Sequence, residues 1–389
     1  MNNKNKSLKQ IIDFRKQKLN ELINSKIDPF PSNYKKSHSI EDVISNEDDF
    51  LNKKISIAGR IISLRNMGKV SFVNIQDNNT KIQLFIKKDN LKEDIYTNVV
   101  KKIDIGDIVG CKGELFYTKT KELSIRVKSF TLLAKSIRPL PNLKEKDGKV
   151  FFSFDDKETR YRKRYLDLIA NPQVKDIFIN RAKIINSLRE FLNNDDYVEV
   201  ETPILQPIYG GANAKPFKTF HNSLDQQFYL RIADELYLKR LIIGGFEKVY
   251  EISKNFRNEG MDKDHNPEFT MLEYYASYSD VYKMMDFTEK LIKNVYNEVF
   301  SKQNILFKNK KINIKNKFYK ADFYTIIKDK VNIDIQKLSD DELKQFLKKK
   351  NILVNKEFNR GNMIDKIFST FVEPHLIEPT FIYNYPLIL

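Results

Sequence analysis

The feature that most constrains this chain is a change of hydrophobic period part-way along it. Between Ile55 and about Val127 the segments KISIAGRIISLR, VSFVNIQD, KIQLFIK, DIVGCKGELF and ELSIRVKSF alternate apolar with polar residues, with turn residues between them. A period of two marks a half-buried strand, because successive side chains leave opposite faces of the pleat. Five short strands of this kind predict a small barrel of the OB type.

On either side of these strands the period lengthens. LKQIIDFRKQKLNELI sets Leu8, Ile11, Ile12, Leu19, Leu22 and Ile23 along a helical stripe, and Asp28-Pro29-Phe30-Pro31 ends it. Arg138-Pro139-Leu140-Pro141 and the charged stretch to Lys149 read as a linker. Beyond it, a helix over 174–193 carries Ile177, Ile184, Leu188 and Phe191 at helical spacing, and the strand VEVETPIL follows. A helix over 233–243, long strands over 247–258 and 268–276, and a helix over 281–299 come next. DDELKQFLKKK and NMIDKIFSTFV read as amphipathic helices. Helices mixed with antiparallel strands predict an α+β class. The expected organisation is a helical extension over 1–50, the barrel over 51–138, a linker over 139–159, and an α+β domain over 160–389 with a helical insertion around 300–373.

Composition narrows the function classes. The 389 residues suit two or three domains, and 41% apolar residues is a globular rather than a disordered proportion. No apolar run is long enough to span a bilayer, and MNNKNKSLKQ lacks the apolar core and cleavage site of a signal peptide. The single Cys111 excludes an intrachain disulfide framework and a cysteine-based zinc site. A cytoplasmic protein with no membrane partner is expected. The net charge of +16 fits a polyanion such as RNA, and fits equally a chain rich in Lys, Asn and Ile throughout. Charge therefore does not decide, and the motifs must.

The most informative stretch runs from Glu247 to Asp280. Alternation places Arg257 and Glu259 on one face of the first strand, and Phe269, Met271, Glu273 and Tyr275 on one face of the second, with His265, Asn266 and Pro267 between them. Paired, the strands line one side of a sheet with a cation, two carboxylates, a phenol and an aromatic ring. Such a load is costly unless ligands satisfy it. For any one residue a solvated surface is the simpler reading; for the whole set it is not.

FRNEG, HNPEFTMLE and Tyr275 resemble motif 2 of the class II aminoacyl-tRNA synthetases, and among these the lysyl enzymes. VEVETPIL with Pro203 resembles motif 1, the dimer element of the family, and the segments RYRKRYLDLI and YGGANAKPFKTF through EKVYEI are similar as well. The resemblance implies ATP-dependent activation of L-lysine to lysyl-adenylate, transfer to tRNA(Lys), use of Mg2+, and a homodimer. It implies that Arg257 clamps the substrate carboxylate and α-phosphate, where a planar guanidinium gives bidentate contacts. It also implies that Glu259 reads the adenine amino group, Phe269 stacks on the ring, and His265 meets a phosphate with Asn266 beside it. Gly211, Glu235 and Glu273 are implied contacts of the lysine α-amino group, and Tyr275 one near its side chain. From the residues alone, Gly211 is equally a plain turn and Glu235 a carboxylate at a helix start.

In the barrel, Val73, Ile75, Ile82, Leu84 and Ile86 are expected inward, which turns Phe72, Gln83 and Glu122 outward. An exposed ring beside an amide suits stacking and edge readout of single-stranded bases, and a lone surface Phe is also common. The resemblance implies that Phe72, Gln83 and Glu122 contact anticodon bases together with Arg65, which follows Leu64 where the family usually has consecutive basic residues. The family pattern continues past EPTFIYNYPLIL with metal-binding carboxylates, an acidic partner for the ε-ammonium, and motif 3. The expectation is a chain truncated before motif 3, with no metal ligands of its own because these lie beyond Leu389, and little activation activity alone. A truncated product that only binds tRNA is the alternative. A synthetase-like paralogue that lysylates protein would lack the barrel.

Overall fold

The computed structural model describes residues 7–141, 143–146, 149–152, 156–262, 264–300, 305–307, 309–353 and 358–389. Their contacts divide the chain into two units, Met1–Phe178 and Ile179–Leu389. The linker expected over 139–159 lies partly outside the described residues. Within it, Leu143–Lys146 and Lys149–Phe152 pair as a short antiparallel ladder rather than running as structureless chain.

In the first unit, β1 (Lys54–Met67), β2 (Val70–Asp77), β3 (Thr80–Lys87), β4 (Ile108–Tyr117) and β5 (Leu123–Ala134) close into a barrel in the order β1-β2-β3-β5-β4. Val73, Ile75, Ile82, Leu84 and Ile86 fill its interior as the alternation predicts. Gly113 sits at a register shift between β4 and β5, where a Cβ would overlap the Arg126 carbonyl oxygen. Only glycine allows the strands to approach there.

The helix α1 (Leu8–Asn24) starts at Ser7, whose hydroxyl accepts from the Gln10 amide while the Gln10 side chain caps Ser7 in return. It ends at Asn24, short of the Asp28–Pro31 stop. The expected apolar stripe is only partly buried: Leu22 is in the core, whereas Leu8 and Ile23 are 59% and 53% exposed. Buried instead is Arg15, which donates to the carbonyls of Ile105, Ser136 and Arg138 at 2.9, 3.0 and 3.3 Å. The helix docks on loop carbonyls that need a donor, and a guanidinium meets several at once.

Lys135 anchors the same end of the barrel. Its Nζ lies 2.6 Å from Asp104 and 2.8 Å from Asp107, and Lys18 meets Asp104 at 2.6 Å. The Lys135 and Asp107 side chains are wholly out of solvent. Burial opposes both carboxylates. At Asp104 the two ammonium groups outweigh it and lower the pKa, whereas at Asp107 burial prevails and raises it.

In the second unit, the part of α2 (Val174–Asn194) from Ile179 onward, α3 (Glu235–Ile243) and α4 (Val281–Phe300) accompany the antiparallel strands β6 (Lys248–Phe256) and β7 (Glu268–Ala276). One face of this pair is apolar. Tyr250, Ile252, Leu272 and Tyr274 pack on Leu188, Phe191 and Leu192 of α2 and on Phe287 and Leu291 of α4. Ile177, expected in the packed stripe of α2, is 66% exposed. The expected strand VEVETPIL is broken. Val198–Glu199 pairs with β6 in parallel, and Leu205–Gln206 pairs with Gln226–Leu230 in another sheet. Pro203 has no amide for a ladder, and the Thr202 carbonyl is taken by Arg231, so pairing fails between them.

The rest of this unit has its own core. Tyr319–Asp322 and Thr380–Tyr383 pair in parallel beside α5 (Phe323–Val331), α6 (Asp340–Lys349) and α7 (Arg360–Phe371). Phe323, Ile327, Leu343, Leu347, Met363 and Ile367 pack together there. The two expected amphipathic helices are α6 and α7, and each begins on a reciprocal capping box, Ser339 with Glu342 and Asn359 with Asn362. Residues 301–304, 308 and 354–357 of the expected insertion lie outside the described residues. No described helix is long and apolar enough to cross a membrane.

The Lys135 cluster gives a stability prediction. Lys135→Met leaves the solvent-free Asp107 carboxylate unpaired, which should cost about 3–5 kcal/mol of unfolding free energy in urea melts. A loss under about 1 kcal/mol would show the pair to be dispensable.

Candidate functional site

The polar face of β6–β7 follows from the register. Val249 pairs with Tyr275, Glu251 with Glu273, Ser253 with Met271 and Asn255 with Phe269. Directly opposed residues share a face, so this row stands opposite the apolar row that α2 and α4 cover. Glu273 and Tyr275 meet on it, with the phenol donating to Glu273 Oε2 at 3.0 Å. Burial, then the nearby Glu273 charge, raises the Tyr275 pKa, so the phenol stays protonated and serves as a donor.

The period-two argument does not extend to Arg257 and Glu259. The ladder stops at Phe256, and although the Arg257 amide still donates to Pro267 O at 2.9 Å, the Glu259 amide turns back to Arg257 O at 3.0 Å. Arg257 is placed by its contacts instead. Its Nε donates to Ile232 O at 3.4 Å, and its guanidinium lies 5.1 Å from the centre of the Phe269 ring. Glu259 Oε1 accepts from the Lys215 amide at 3.3 Å. His265 and Asn266 are exposed in the intervening loop, and their hydrogen bonds among the described residues stay within it or reach Glu268.

The loop before α3 completes the site. Gly211 has φ +85°, and a Cβ there would lie 3.0 Å from the Glu235 Cβ and 3.1 Å from the Ala233 Cβ. A turn alone explains the positive φ; the close approach of two other residues goes further. Glu235 Oε1 pairs with Lys239 at 2.5 Å, and the Asp234 amide donates to Glu273 Oε1 at 3.2 Å. Gly211, Glu235, Glu273, Tyr275, Arg257 and Phe269 are thus linked around one wall.

Sequence reasoning missed the buried polar groups of β6 on this same face. Arg231 Nη1 donates to Glu251 Oε1 at 2.7 Å, Thr202 Oγ1 donates to Glu251 Oε2 at 2.6 Å, and Ser253 Oγ donates to Asp234 Oδ2 at 2.5 Å. Glu251, Ser253 and Asn255 recur at period two, a signal the sequence did contain.

On the barrel, Arg65 stands opposite Phe72, Phe72 opposite Phe85, and Asn74 opposite Gln83. With Phe116 and Glu122 they line a cavity of roughly 650 Å³. The Phe72 and Phe85 rings are 5.4 Å apart, Phe85 and Phe116 5.9 Å, and the Arg126 guanidinium lies 4.4 Å from the Phe116 ring. Gln83 lines the cavity, and its Oε1 accepts from Ser124 Oγ at 3.1 Å. Leu64 packs against the barrel core, so Arg65 is the residue of that pair on the outer side. Phe85 was legible, since it shares the parity of Gln83; Phe116 was not, because its neighbour relation crosses strands.

Pro203 is exposed, its carbonyl accepts from Gln206 Nε2 at 3.0 Å, and Ile204, Leu205, Ile208 and Tyr209 just after it are exposed as well. Among the described residues, no group of three or more His, Cys, Asp or Glu stands together in a way that could hold a metal ion.

Two predictions follow from this geometry. Gly211→Ala forces a side chain into a left-handed conformation against Ala233 and Glu235, and should lower unfolding free energy by roughly 1–2 kcal/mol; an unchanged melt would contradict it. At His265 the hydrogen bond to Asp262 (2.8 Å), then its charge, raises the imidazole pKa above 6.5. A raised pKa stabilises the fold below the unfolded pKa, and that contribution is lost as pH rises through the folded one. Asp262→Asn should therefore lower the His265 midpoint in an NMR titration, and an unmoved midpoint would exclude the pair in solution.

Comparison with known proteins gives the family. Residues 156–388 match the family described as tRNA synthetases class II (D, K and N), and residues 55–133 match the OB-fold nucleic acid binding domain. A curated relative from Azobacteroides pseudotrichonymphae genomovar. CFP2, named lysine–tRNA ligase, is 47% identical over 380 residues, covering 96% of this chain and 76% of the relative. Relatives of the same name from two strains of Porphyromonas gingivalis are 45% identical over 381 residues, covering 96% of this chain and 66% of theirs. The chain spans a little under two thirds of the length of these P. gingivalis relatives. With a closed OB barrel ahead of the two-faced β6–β7 pair and identities of this size, the chain belongs to the class II tRNA synthetases, in the group of the lysine–tRNA ligases.

Proposed function

We propose that this chain serves ATP-dependent lysine–tRNA ligation: lysine carboxylate attacks the ATP α-phosphate, pyrophosphate leaves, and the lysyl group passes from the resulting adenylate to tRNA(Lys) with release of AMP. The observation that carries this reading is the single wall that joins Arg257 and Phe269 to Gly211, Glu235, Glu273 and Tyr275. The reaction needs little covalent help from protein, since orientation and charge stabilisation supply most of the rate. Arg257 bridges the attacking carboxylate and the α-phosphate. Phe269 stacks on adenine and Glu259 accepts from its amino group. Glu235 and Glu273 accept the α-ammonium, for which Gly211 leaves room, and Tyr275 borders the side chain. His265 and Asn266 meet the ATP phosphates from the exposed loop.

Mg2+ belongs to this proposal as the counter-ion of ATP, and the roles assigned to these residues do not pass through it. The barrel face bearing Arg65, Phe72, Gln83 and Glu122 takes the anticodon, by stacking on the rings and edge contacts to the amide. A homodimer through the Pro203 region is part of the same reading, supported by the run of exposed apolar side chains after it. So is a cytoplasmic location, where the translation substrates lie.

The test separates the two sites. In lysine-dependent ATP–pyrophosphate exchange, Arg257→Ala should lose on the order of 10²–10³-fold in rate. Phe72→Ala should leave exchange intact and raise the KM for tRNA(Lys) in charging by roughly tenfold or more. Exchange driven by another amino acid, or an unchanged KM in Phe72→Ala, would overturn the corresponding half. Binding of tRNA without exchange would favour a binding role for the chain.

A further inference from the structure

Buried on the polar face of β6–β7, around Glu251, lie three charged side chains to which the roles above assign nothing. Arg231, Asp234 and Glu251 have side-chain exposures of 3%, 0% and 5%. Glu251 is well satisfied, with Arg231 Nη1 on one oxygen and Thr202 Oγ1 on the other. Asp234 is not. Arg231 Nε is 3.2 Å from Asp234 Oδ1, but it donates to Lys254 O at 2.9 Å. Asp234 Oδ2 accepts from Ser253 Oγ and, at 3.4 Å, from Asn255 Nδ2, while among the described residues Oδ1 receives no hydrogen bond. Two carboxylates share one guanidinium, so with both ionised the group has one negative charge in excess, and burial opposes that charge by raising the Asp234 pKa.

A buried carboxylate with an unmet oxygen works against stability. The position of this one gives it a use. Ala233 and Glu235 flank it in the chain, both stand against Gly211, and its own amide holds Glu273 Oε1 at 3.2 Å. The excess charge therefore sits immediately behind the carboxylates assigned to the amino-acid substrate, where low polarisability screens it little. Any ammonium entering that pocket feels it, and an amino acid with two ammonium groups feels it twice.

We propose that Asp234 is a specificity-determining positioning residue: the net negative Arg231–Asp234–Glu251 cluster favours an amino acid with a cationic side chain over an uncharged isostere, while the Asp234 amide orients Glu273. This rests on the lysine reading given above. Asp234 acts through the field and through Glu273, and touches no substrate atom itself.

The test compares L-lysine with L-norleucine, which has nearly the same shape and no side-chain charge, by isothermal titration calorimetry. Wild type is measured beside Asp234→Asn and Glu251→Gln, each of which removes the excess charge while keeping the side-chain shape. The lysine-to-norleucine affinity ratio should fall by about tenfold in each variant, because lysine loses the attraction at two ammonium groups and norleucine at one. A merely structural role would weaken both ligands together and leave the ratio unchanged, which overturns the proposal. If Asp234→Asn does not fold, Glu251→Gln reads the same charge, and failure of both to fold marks the cluster as structural and also overturns it. A wild type with no preference for lysine would sink the lysine reading itself, whereas a discriminating wild type whose ratio survives both substitutions sinks this inference alone.

Discussion

Glu251 and Glu273 stand directly opposite each other across β6 and β7. Like charges at opposed positions are unfavourable, and here they cannot be relieved by sliding a strand. The other face of the same strands carries Tyr250, Ile252, Leu272 and Tyr274 into the core against α2 and α4. A one-residue slip would send these side chains to the wrong side. The apolar face thus fixes the register, and the register forces the carboxylates together. Arg231 and Thr202 then answer Glu251, and the Asp234 amide and the Tyr275 phenol answer Glu273. Much of the site follows from this one requirement.

The barrel solves a related problem by burying charge in a different place. Arg15 and Lys135 gather loop carbonyls and the carboxylates of Asp104 and Asp107 at one end of the barrel. On β2, β3 and β4 the Phe72, Phe85 and Phe116 rings form an aromatic surface with Gln83 beside it. Rings on a closed barrel are held by backbone pairing on both sides, which suits a surface meant to receive unstacked bases.

The sequence made part of this legible and hid the rest for specific reasons. Alternation located all five barrel strands, and it placed Glu273 and Tyr275 on one face of β7. It failed at Arg257 and Glu259, because the chain turns back after Phe256 and the period no longer governs direction. It failed for Ile177, Leu8 and Ile23, whose spacing is helical but whose positions meet solvent. Apolar spacing states which face could be buried, and only a neighbour makes it so. The broken strand at Pro203 was foreshadowed by the missing amide of proline, but its two halves join different sheets for reasons of packing. Gly211 and Glu235 could be linked to the site only through the family resemblance, since nothing local distinguishes them from a turn and a helix start.

The sequence by itself determined the periods, and with them the barrel, the two-faced strand pair and the amphipathic α6 and α7, because backbone geometry converts spacing directly into faces. It also carried the motif residues that identify the family. Tertiary structure alone decided which distant groups meet: Arg231 with Glu251, the Asp234 amide with Glu273, Gly211 with Ala233 and Glu235, Phe85 with Phe116. These contacts join residues from separate elements, and no local period encodes them. The unmet oxygen of Asp234 belongs to the same class, for whether a buried carboxylate is compensated depends on where every neighbouring donor points.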